Sequence, residues 1–475
     1  MILNLFFIIS ALLGFSIFFS KSKTLTKIIV IFFGILHISF TVYTWTRIGI
    51  TDLIYFTYDN LAVLFLSILS IIVTAVIYHG FIYVSKDALR KYNIYHSSLI
   101  LLVTCMTGAY LSNNLAALWI FAEATTLAVA GLIYHDRTTV SLEATWKYVF
   151  LSSVGITLAF IGILFISMMM NGTPYNDLSF ASISEVAVNA KPLYLKIAFL
   201  FIFVGFGTKM EIFPMHTIGI DANAVAPSPI GALISSGLVN MGFITLLRVY
   251  GALSGSDIFE WMNKILIIVG LLSLLTAAGY MLKAKHLKRM FAYSTLENMG
   301  LVAIALGVGG NGYYAAILLL ILHSFIKSSL FIQMNQLYRV QGTLWLDNSG
   351  RYLKTFPAGA LVLIIGAVSI MAFPPSGLFL TEMMIFKALV LNGNWFVLIS
   401  AAFLLCCIIY ATTIRVMHVV FSPPREKPDF VADEKVSPYE TVSQYIFLTI
   451  IIVLCFYQPP FLKGMIEQTV KILFN

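Results

Sequence analysis

The chain has 475 residues, of which 60% are hydrophobic and only 11% charged, with a formal net charge of +8. Soluble domains carry about 25% charged residues, and the mean hydropathy is +0.93. A soluble multidomain protein is therefore excluded, because it would have to hide apolar runs along its entire length.

A transmembrane helix needs about 20 apolar residues. Runs of that kind are predicted at 2–20, 25–46, 60–84, 93–111, 113–134, 146–170 and 192–214, then at 227–253, 259–282, 290–308, 312–338, 355–391, 394–421 and 441–462. The run at 355–391 is interrupted and counts as one broken helix. The expectation is an all-α, polytopic membrane protein with about fourteen spans, numbered here in chain order. The first run lacks a preceding basic stretch and a small-residue cleavage site, so it reads as a retained helix. The polar stretches 171–191 and 422–440 read as loops.

The positive-inside rule tests the count. With the N-terminus outside, the cytoplasmic loops hold Lys21, Lys23, Lys27, Lys86, Arg90, Lys91, Arg137 and Lys147, then Lys283, Lys285, Lys288, Arg289, Arg339, Arg351, Lys354, Arg425, Lys427 and Lys435. The outer loops hold only Arg47, Lys191, Lys463 and Lys471. A missed or extra span would invert this asymmetry from that point on. The basic balance is thus a topology signal that needs no nucleic acid, and it places both termini on the outer side of the cell membrane.

Cys105, Cys406, Cys407 and Cys455 lie in apolar runs, read as buried small hydrophobes, and form no metal-ligand spacing. No phosphate-binding glycine motif is present. No cofactor and no metal site is expected, and the chain alone should catalyse no oxidoreduction.

A charge at the bilayer centre costs about 2.5–3.5 kcal/mol on insertion scales, so intramembrane ionisable residues are functional candidates by default. Five stand out: Glu123, Lys209, His323, Lys327 and Glu382. Glu123 lies nine residues past Asn114, roughly 14 Å into its helix. Thr126, at i+3, could hold its carboxyl. Lys209 precedes Pro214, which breaks the helix, and Pro227 and Pro229 break the start of the next. Broken backbone within a membrane is tolerated only where protein buries it or it lines a cavity. Desolvation and a neighbouring carboxylate together let such a lysine exchange its proton near neutral pH. Glu211 reads as sitting at the edge, and His216 as a cap of the broken helix. His323 and Lys327 are at i and i+4, on one face. Glu382 follows a second interruption, Phe373-Pro-Pro-Ser-Gly377, with Lys387 as a partner or a snorkelling side chain. Glu143 and Lys147 read as a solvated i,i+4 pair. The plainer readings are a helix–helix tie for Glu123, a snorkelling lysine for Lys209 and a hydrogen-bonded core histidine for His323.

Four segments carry a resemblance. They are Trp119-Ile-Phe-Ala-Glu-Ala-Thr-Thr-Leu127 with Leu142-Glu-Ala-Thr-Trp-Lys-Tyr148; Gly207-Thr-Lys209 through Pro227-Ser-Pro-Ile-Gly-Ala-Leu-Ile-Ser-Ser236; Leu287-Lys-Arg-Met-Phe-Ala-Tyr-Ser-Thr-Leu-Glu-Asn-Met-Gly300; and Phe373-Pro-Pro-Ser-Gly-Leu-Phe-Leu-Thr-Glu382. Over roughly residues 50–420 the chain resembles the antiporter-like, proton-translocating subunits of respiratory complex I and Mrp antiporters, with component F of hydrogenase-4 and related group 4 membrane-bound hydrogenases most similar.

The resemblance implies two inverted five-helix repeats with broken spans 7 and 12. The implied divisions are 1–92 (three N-terminal spans), 93–253 (spans 4–8), 254–421 (spans 9–13) and 422–475 (cytoplasmic loop, span 14 and tail). It also implies a membrane-plane row of charges in which Glu123 and Lys209 form a switchable ion pair, His323 and Lys327 continue the row, and Glu382 ends it. Asn240 stands where many relatives have lysine or histidine; it cannot titrate, so Ser235, Ser236 or a water would carry the proton there. His286 replaces an acidic residue, and Thr217-Ile-Gly-Ile-Asp221 replaces Thr-Trp-Leu-Pro-Asp. The implied function is H+ translocation, with exchange for Na+ left open, alongside other membrane and peripheral subunits of a redox complex. The alternatives are a stand-alone cation/proton antiporter and a proton-coupled membrane subunit of an inorganic-carbon uptake system.

Overall fold

The structure, a computed structural model, describes residues 2–426 and 436–474. Lys427 and Lys435, placed above in a cytoplasmic loop, lie outside the described residues. Among the described residues the one sheet is a small hairpin, Thr51–Asp52 antiparallel to Phe56–Thr57. The remaining regular structure is helical.

Among the described residues, thirteen helices are long and apolar enough to cross a membrane. Spans 1 to 6 are Ile2–Phe19, Lys23–Trp45, Asn60–Tyr83, Leu89–Leu111, Leu115–Asp136 and Thr139–Met170. Span 7 is Pro192–Met210, and spans 8 to 11 are Ser228–Ala252, Phe259–Met281, Leu287–Val308 and Asn311–Gln341. Spans 13 and 14 are Trp395–Phe421 and Pro438–Phe456. The remaining crossing, span 12, is split into Pro357–Ile370 and Gly377–Leu391, of 14 and 15 residues. Each half covers only about 21–23 Å at 1.5 Å per residue, short of the roughly 30 Å hydrocarbon core, which is why the two belong to one broken span. The chain is a multi-pass, all-α membrane protein.

Polar residues start the helices where the pattern demands. Asp59 accepts from Ala62 N at 2.7 Å, Asn114 from Ala116 N and Ala117 N at 3.0 and 3.1 Å, and Thr138 from Ser141 N at 3.0 Å. Span 8 is buried over its whole length and span 11 over residues 315–337, and the two form the centre. Spans 1, 2 and 13 bury only an inner stripe and turn residues such as Leu12, Phe15, Phe396 and Phe403 outward, as lipid-facing helices do. This overturns one reading: Cys406 is exposed and Cys105, Cys407 and Cys455 are half-buried, because an apolar run at the periphery faces lipid as readily as core. Spans 6 and 7 touch through small residues; a Cβ on Gly205 would lie 2.5 Å from both Gly155 O and Ala159 Cβ.

Spans 7 and 12 break in the same way. Span 7 ends at Met210 and resumes as Thr217–Val225. Each break contains a residue in left-handed conformation, Glu211 (φ 57°) and Ala372 (φ 52°). In each the residue before it is methionine, and a proline, Pro214 or Pro375, stands three positions later.

Candidate functional site

The site is built from the ends and breaks of central helices. In the first half, Lys209 occupies the last turn of span 7 and is 2% exposed. Gly242 of span 8 lies against its backbone; a Cβ there would be 2.8 Å from Lys209 C. Lys209 Nζ donates to Thr126 Oγ1 at 2.7 Å and to Tyr148 OH at 3.4 Å, and sits 5.3 Å from the Tyr148 ring centroid. Glu123 Oε1 accepts from Ser153 Oγ at 2.8 Å, while its buried Oε2 has no partner among the described residues.

Two expectations are corrected here. Thr126 does not hold the Glu123 carboxyl, and the Glu123 and Lys209 charges are not in direct contact, though they remain within electrostatic reach. Each group is satisfied by hydroxyls instead: the Lys209 ammonium, a donor only, by the threonine and tyrosine oxygens, and the Glu123 carboxylate, an acceptor only, by the serine of span 6.

At the break, Glu211 is 2% exposed, not at the edge. Its Oε1 accepts from Asn223 Nδ2 at 3.1 Å. His216 occupies the position before Thr217, but its side chain makes no cap hydrogen bond to that helix; the ring stacks on Phe213 at 5.9 Å and bonds to the Pro214 backbone within the break.

In the second half, Lys327 of span 11 is fully buried. Its Nζ donates to Ser294 Oγ at 2.7 Å and to Phe291 O, both on span 10. His323, one turn earlier, is also fully buried and lies near the Ser235 backbone, in a π turn spanning Ile234–Leu238 of span 8. Such turns widen a helix by one residue and free carbonyls; here Tyr110 OH donates to Gly237 O at 2.8 Å. Ser236 Oγ donates to Ala232 O at 2.6 Å and accepts from Ser328 Oγ at 3.5 Å. Asn240 Nδ2 donates to Ser324 Oγ at 2.9 Å, and Ser324 Oγ lies 3.1 Å from Asn240 Oδ1. Glu382 is half-buried in the second half of span 12, while Lys387 is exposed, as a snorkelling side chain is.

Three residues of this row carry no role in the sequence reading. Glu297 of span 10 is 2% exposed and interacts electrostatically with Lys327 on one side and Glu382 on the other. Glu211 interacts with Lys327 and with Tyr148. The depth argument that selects Glu123 applies equally to Glu297, ten residues past Leu287; Tyr148 has no such signal. The row therefore runs Glu123, Lys209, Tyr148, Glu211, Lys327, Glu297, Glu382, with His323 beside Lys327. At one end of spans 6 and 10, the Glu143–Lys147 pair (2.6 Å) extends to Asp221 at 3.7 Å, and Asp221 also pairs with Arg289.

Two broken spans and a row of acids and lysines sheltered between packed helices fit an antiporter-like membrane protein. Residues 112–408 match the family described as NADH:quinone oxidoreductase/Mrp antiporter, TM, and the chain belongs to that family. A hydrogenase-4 component F homolog of Methylacidiphilum infernorum is 31% identical over 347 residues, 72% of each chain. A Na(+)/H(+) antiporter subunit of Alkalihalophilus pseudofirmus is 30% identical over 352 residues, which is 70% of this chain but only 42% of that relative. The fold matches a chain of the archaeal membrane-bound sulfane sulfur reductase complex with a TM-score of 0.85 at 20% identity, covering 100% of this chain and 98% of that one. It matches a chain of the Mrp complex of a Dietzia species with a TM-score of 0.83 at 14% identity, covering 100% and 97%. These relatives and structural counterparts are parts of multi-subunit membrane complexes.

Proposed function

We propose that this chain is a proton-translocating, antiporter-like membrane subunit of a redox-driven complex of the group 4 hydrogenase or NADH:quinone oxidoreductase kind. The observation that carries the reading is the set of sheltered ionisable residues from Glu123 to Glu382, with Lys209 Nζ on Thr126 and Tyr148 and Glu211 buried in the break of span 7, each within electrostatic reach of the next. Two unit charges about 4 Å apart at an effective dielectric near 20 attract by roughly 4 kcal/mol. Contact with Glu123 therefore holds the Lys209 proton, and separation releases it along the row toward Lys327, His323 and Glu382. The arrangement described above, with each partner on its own hydroxyl, is the separated state. A conformational or electrical push from a neighbouring redox subunit drives the opening.

The shared pattern of the two breaks supports reading 93–253 and 254–421 as inverted repeats, with 1–92 and 422–475 outside them. The distribution of Lys and Arg supports a cell-membrane location with both termini on the outer side.

The test is proton transport by the assembled complex in proteoliposomes. Lys209→Met should abolish it with assembly intact; loss of assembly instead would make Lys209 a structural tie. The 30% identity to a Na(+)/H(+) antiporter subunit favours a second reading, exchange of Na+ for H+. Cation-dependent proton flux through the purified chain alone would establish that reading, and flux only with partner subunits would establish the first.

A further inference from the structure

We propose that Glu211 carries the proton between the two halves of the row, in place of a titratable residue on span 8, and that Gly219 is there to house its side chain. The inference rests on the proton-translocation reading above.

Three features of Glu211 single it out. Its backbone is left-handed, at φ 57°, a conformation unfavourable for any residue with a Cβ. The corresponding position in the other break is Ala372, at φ 52°, so the geometry of the break does not call for a long acidic side chain. Strain kept at such a place points to function. The side chain also has a dedicated space: a Cβ on Gly219 would fall 2.1 Å from Glu211 Cδ and 2.2 Å from Oε1. Any residue but glycine at 219 would displace the carboxyl. Finally, among the described residues Asn223 Nδ2 is its one hydrogen-bond partner, and Oε2 is buried with none. A carboxyl kept only as a helix tie would be fully bonded, since an unmade buried hydrogen bond is costly.

Its position supplies the connection that span 8 lacks. Asn240 is an amide, its two polar atoms both on Ser324, and an amide does not titrate. Glu211 faces Tyr148 electrostatically on one side, and Tyr148 OH is 3.4 Å from Lys209 Nζ. On the other side it faces Lys327. In the transfer, with Lys327 starting as the neutral amine, an N–H bond of the Lys209 ammonium breaks, the Tyr148 hydroxyl at 3.4 Å accepts that proton and gives up its own, and water relays it until an O–H bond forms on Glu211. Lys209 becomes a neutral amine and Glu211 a neutral acid. The Glu211 O–H then breaks, Lys327 becomes the ammonium, and the carboxylate is restored.

The experiment compares proton transport by the assembled complex carrying Glu211→Gln, Glu211→Asp, Gly219→Ala or Asn240→Leu, with Lys209→Met as the control. The expected result is a loss on the order of 100-fold in E211Q, partial recovery in E211D, a clear loss in G219A, and a smaller loss in N240L than in E211Q. Native rates in E211Q beside a silent K209M would overturn this inference and leave the translocation reading standing. Native rates in K209M would remove both. Infrared difference spectra between acidic and neutral buffer give a second readout, independent of turnover and of the E211Q variant. A protonated-carboxyl band that shifts in E211D supports the proposal; a spectrum unchanged in E211D overturns it.

Discussion

Lys209 Nζ lies 2.7 Å from Thr126 Oγ1, so a neutral hydroxyl, and not the Glu123 carboxylate, is the nearest partner of the buried ammonium. A hydrogen bond to a charged group contributes about 1.5–3 kcal/mol. Thr126→Val should therefore shift Lys209 toward Glu123 and slow proton release, lowering transport by roughly tenfold or more without abolishing it. Dye-quench assays on proteoliposomes read this directly, and an unchanged rate would mean that Thr126 only fills space.

Glu297 joins Lys327 to Glu382 electrostatically. Glu297→Gln keeps the shape and removes the ionisable group. Transport should fall on the order of 100-fold while the complex still assembles, as native gel electrophoresis would show. Full activity in this variant would take span 10 out of the route.

The close approach of span 8 to the end of span 7 is a packing requirement. A Cβ on Gly242 would meet Met210 N at 2.5 Å, whereas one on Gly279 would meet nothing within 4 Å. Gly242→Ala should cost about 1–3 kcal/mol by overpacking. Gly279→Ala should be neutral or slightly stabilising, because alanine is the better helix former by about 0.5–1 kcal/mol. Thermal unfolding in detergent compares the pair, and equal midpoints would contradict so close a contact between the two spans.

Arg248 is buried in span 8 and donates to Asp59 Oδ2 and to Ser112 O, each at 2.6 Å. Asp59 also caps span 3. Arg248→Met should destabilise by about 3 kcal/mol, the lower end for a broken buried pair, because Asp59 keeps 34% of its side-chain surface exposed. Chemical denaturation of the purified chain measures this.

His286 sits in the loop before span 10, its ring 5.5 Å from Trp345. Burial, with Lys288 and Arg289 nearby, pushes it down from 6.5 to about 4. The folded chain thus leaves His286 neutral where the unfolded chain protonates it. Stability should fall as pH drops from about 6.5 to 4, by up to one proton's worth of slope. His286→Gln should flatten the decline over that interval, and an unaltered slope would assign the pH dependence elsewhere.

How much of this was legible beforehand follows from what each signal depends on. Apolar run length and the placement of Lys and Arg depend on the bilayer alone, so about fourteen crossings, with interruptions at Pro214 and at 373–377, could be read in one dimension. The buried charges Glu123, Lys209, His323, Lys327 and Glu382 were visible for the same reason: each interrupts an apolar run. Their partners were not visible. Whether Thr126 meets Glu123 or Lys209 depends on how spans 5, 6 and 7 rotate against one another, and both choices satisfy the i,i+3 spacing.

The amino-acid sequence by itself therefore determined the class, the number of crossings and which charges must be sheltered from lipid. Only the tertiary structure decided which of them meet. It brought Glu211 in from the edge, put Glu297 within electrostatic reach of Lys327 and Glu382, and joined Asn240 to Ser324. The physical reason is that insertion cost is a property of one residue at one depth, whereas electrostatic coupling is a property of two residues on different helices, fixed by packing such as the space Gly219 leaves beside Glu211.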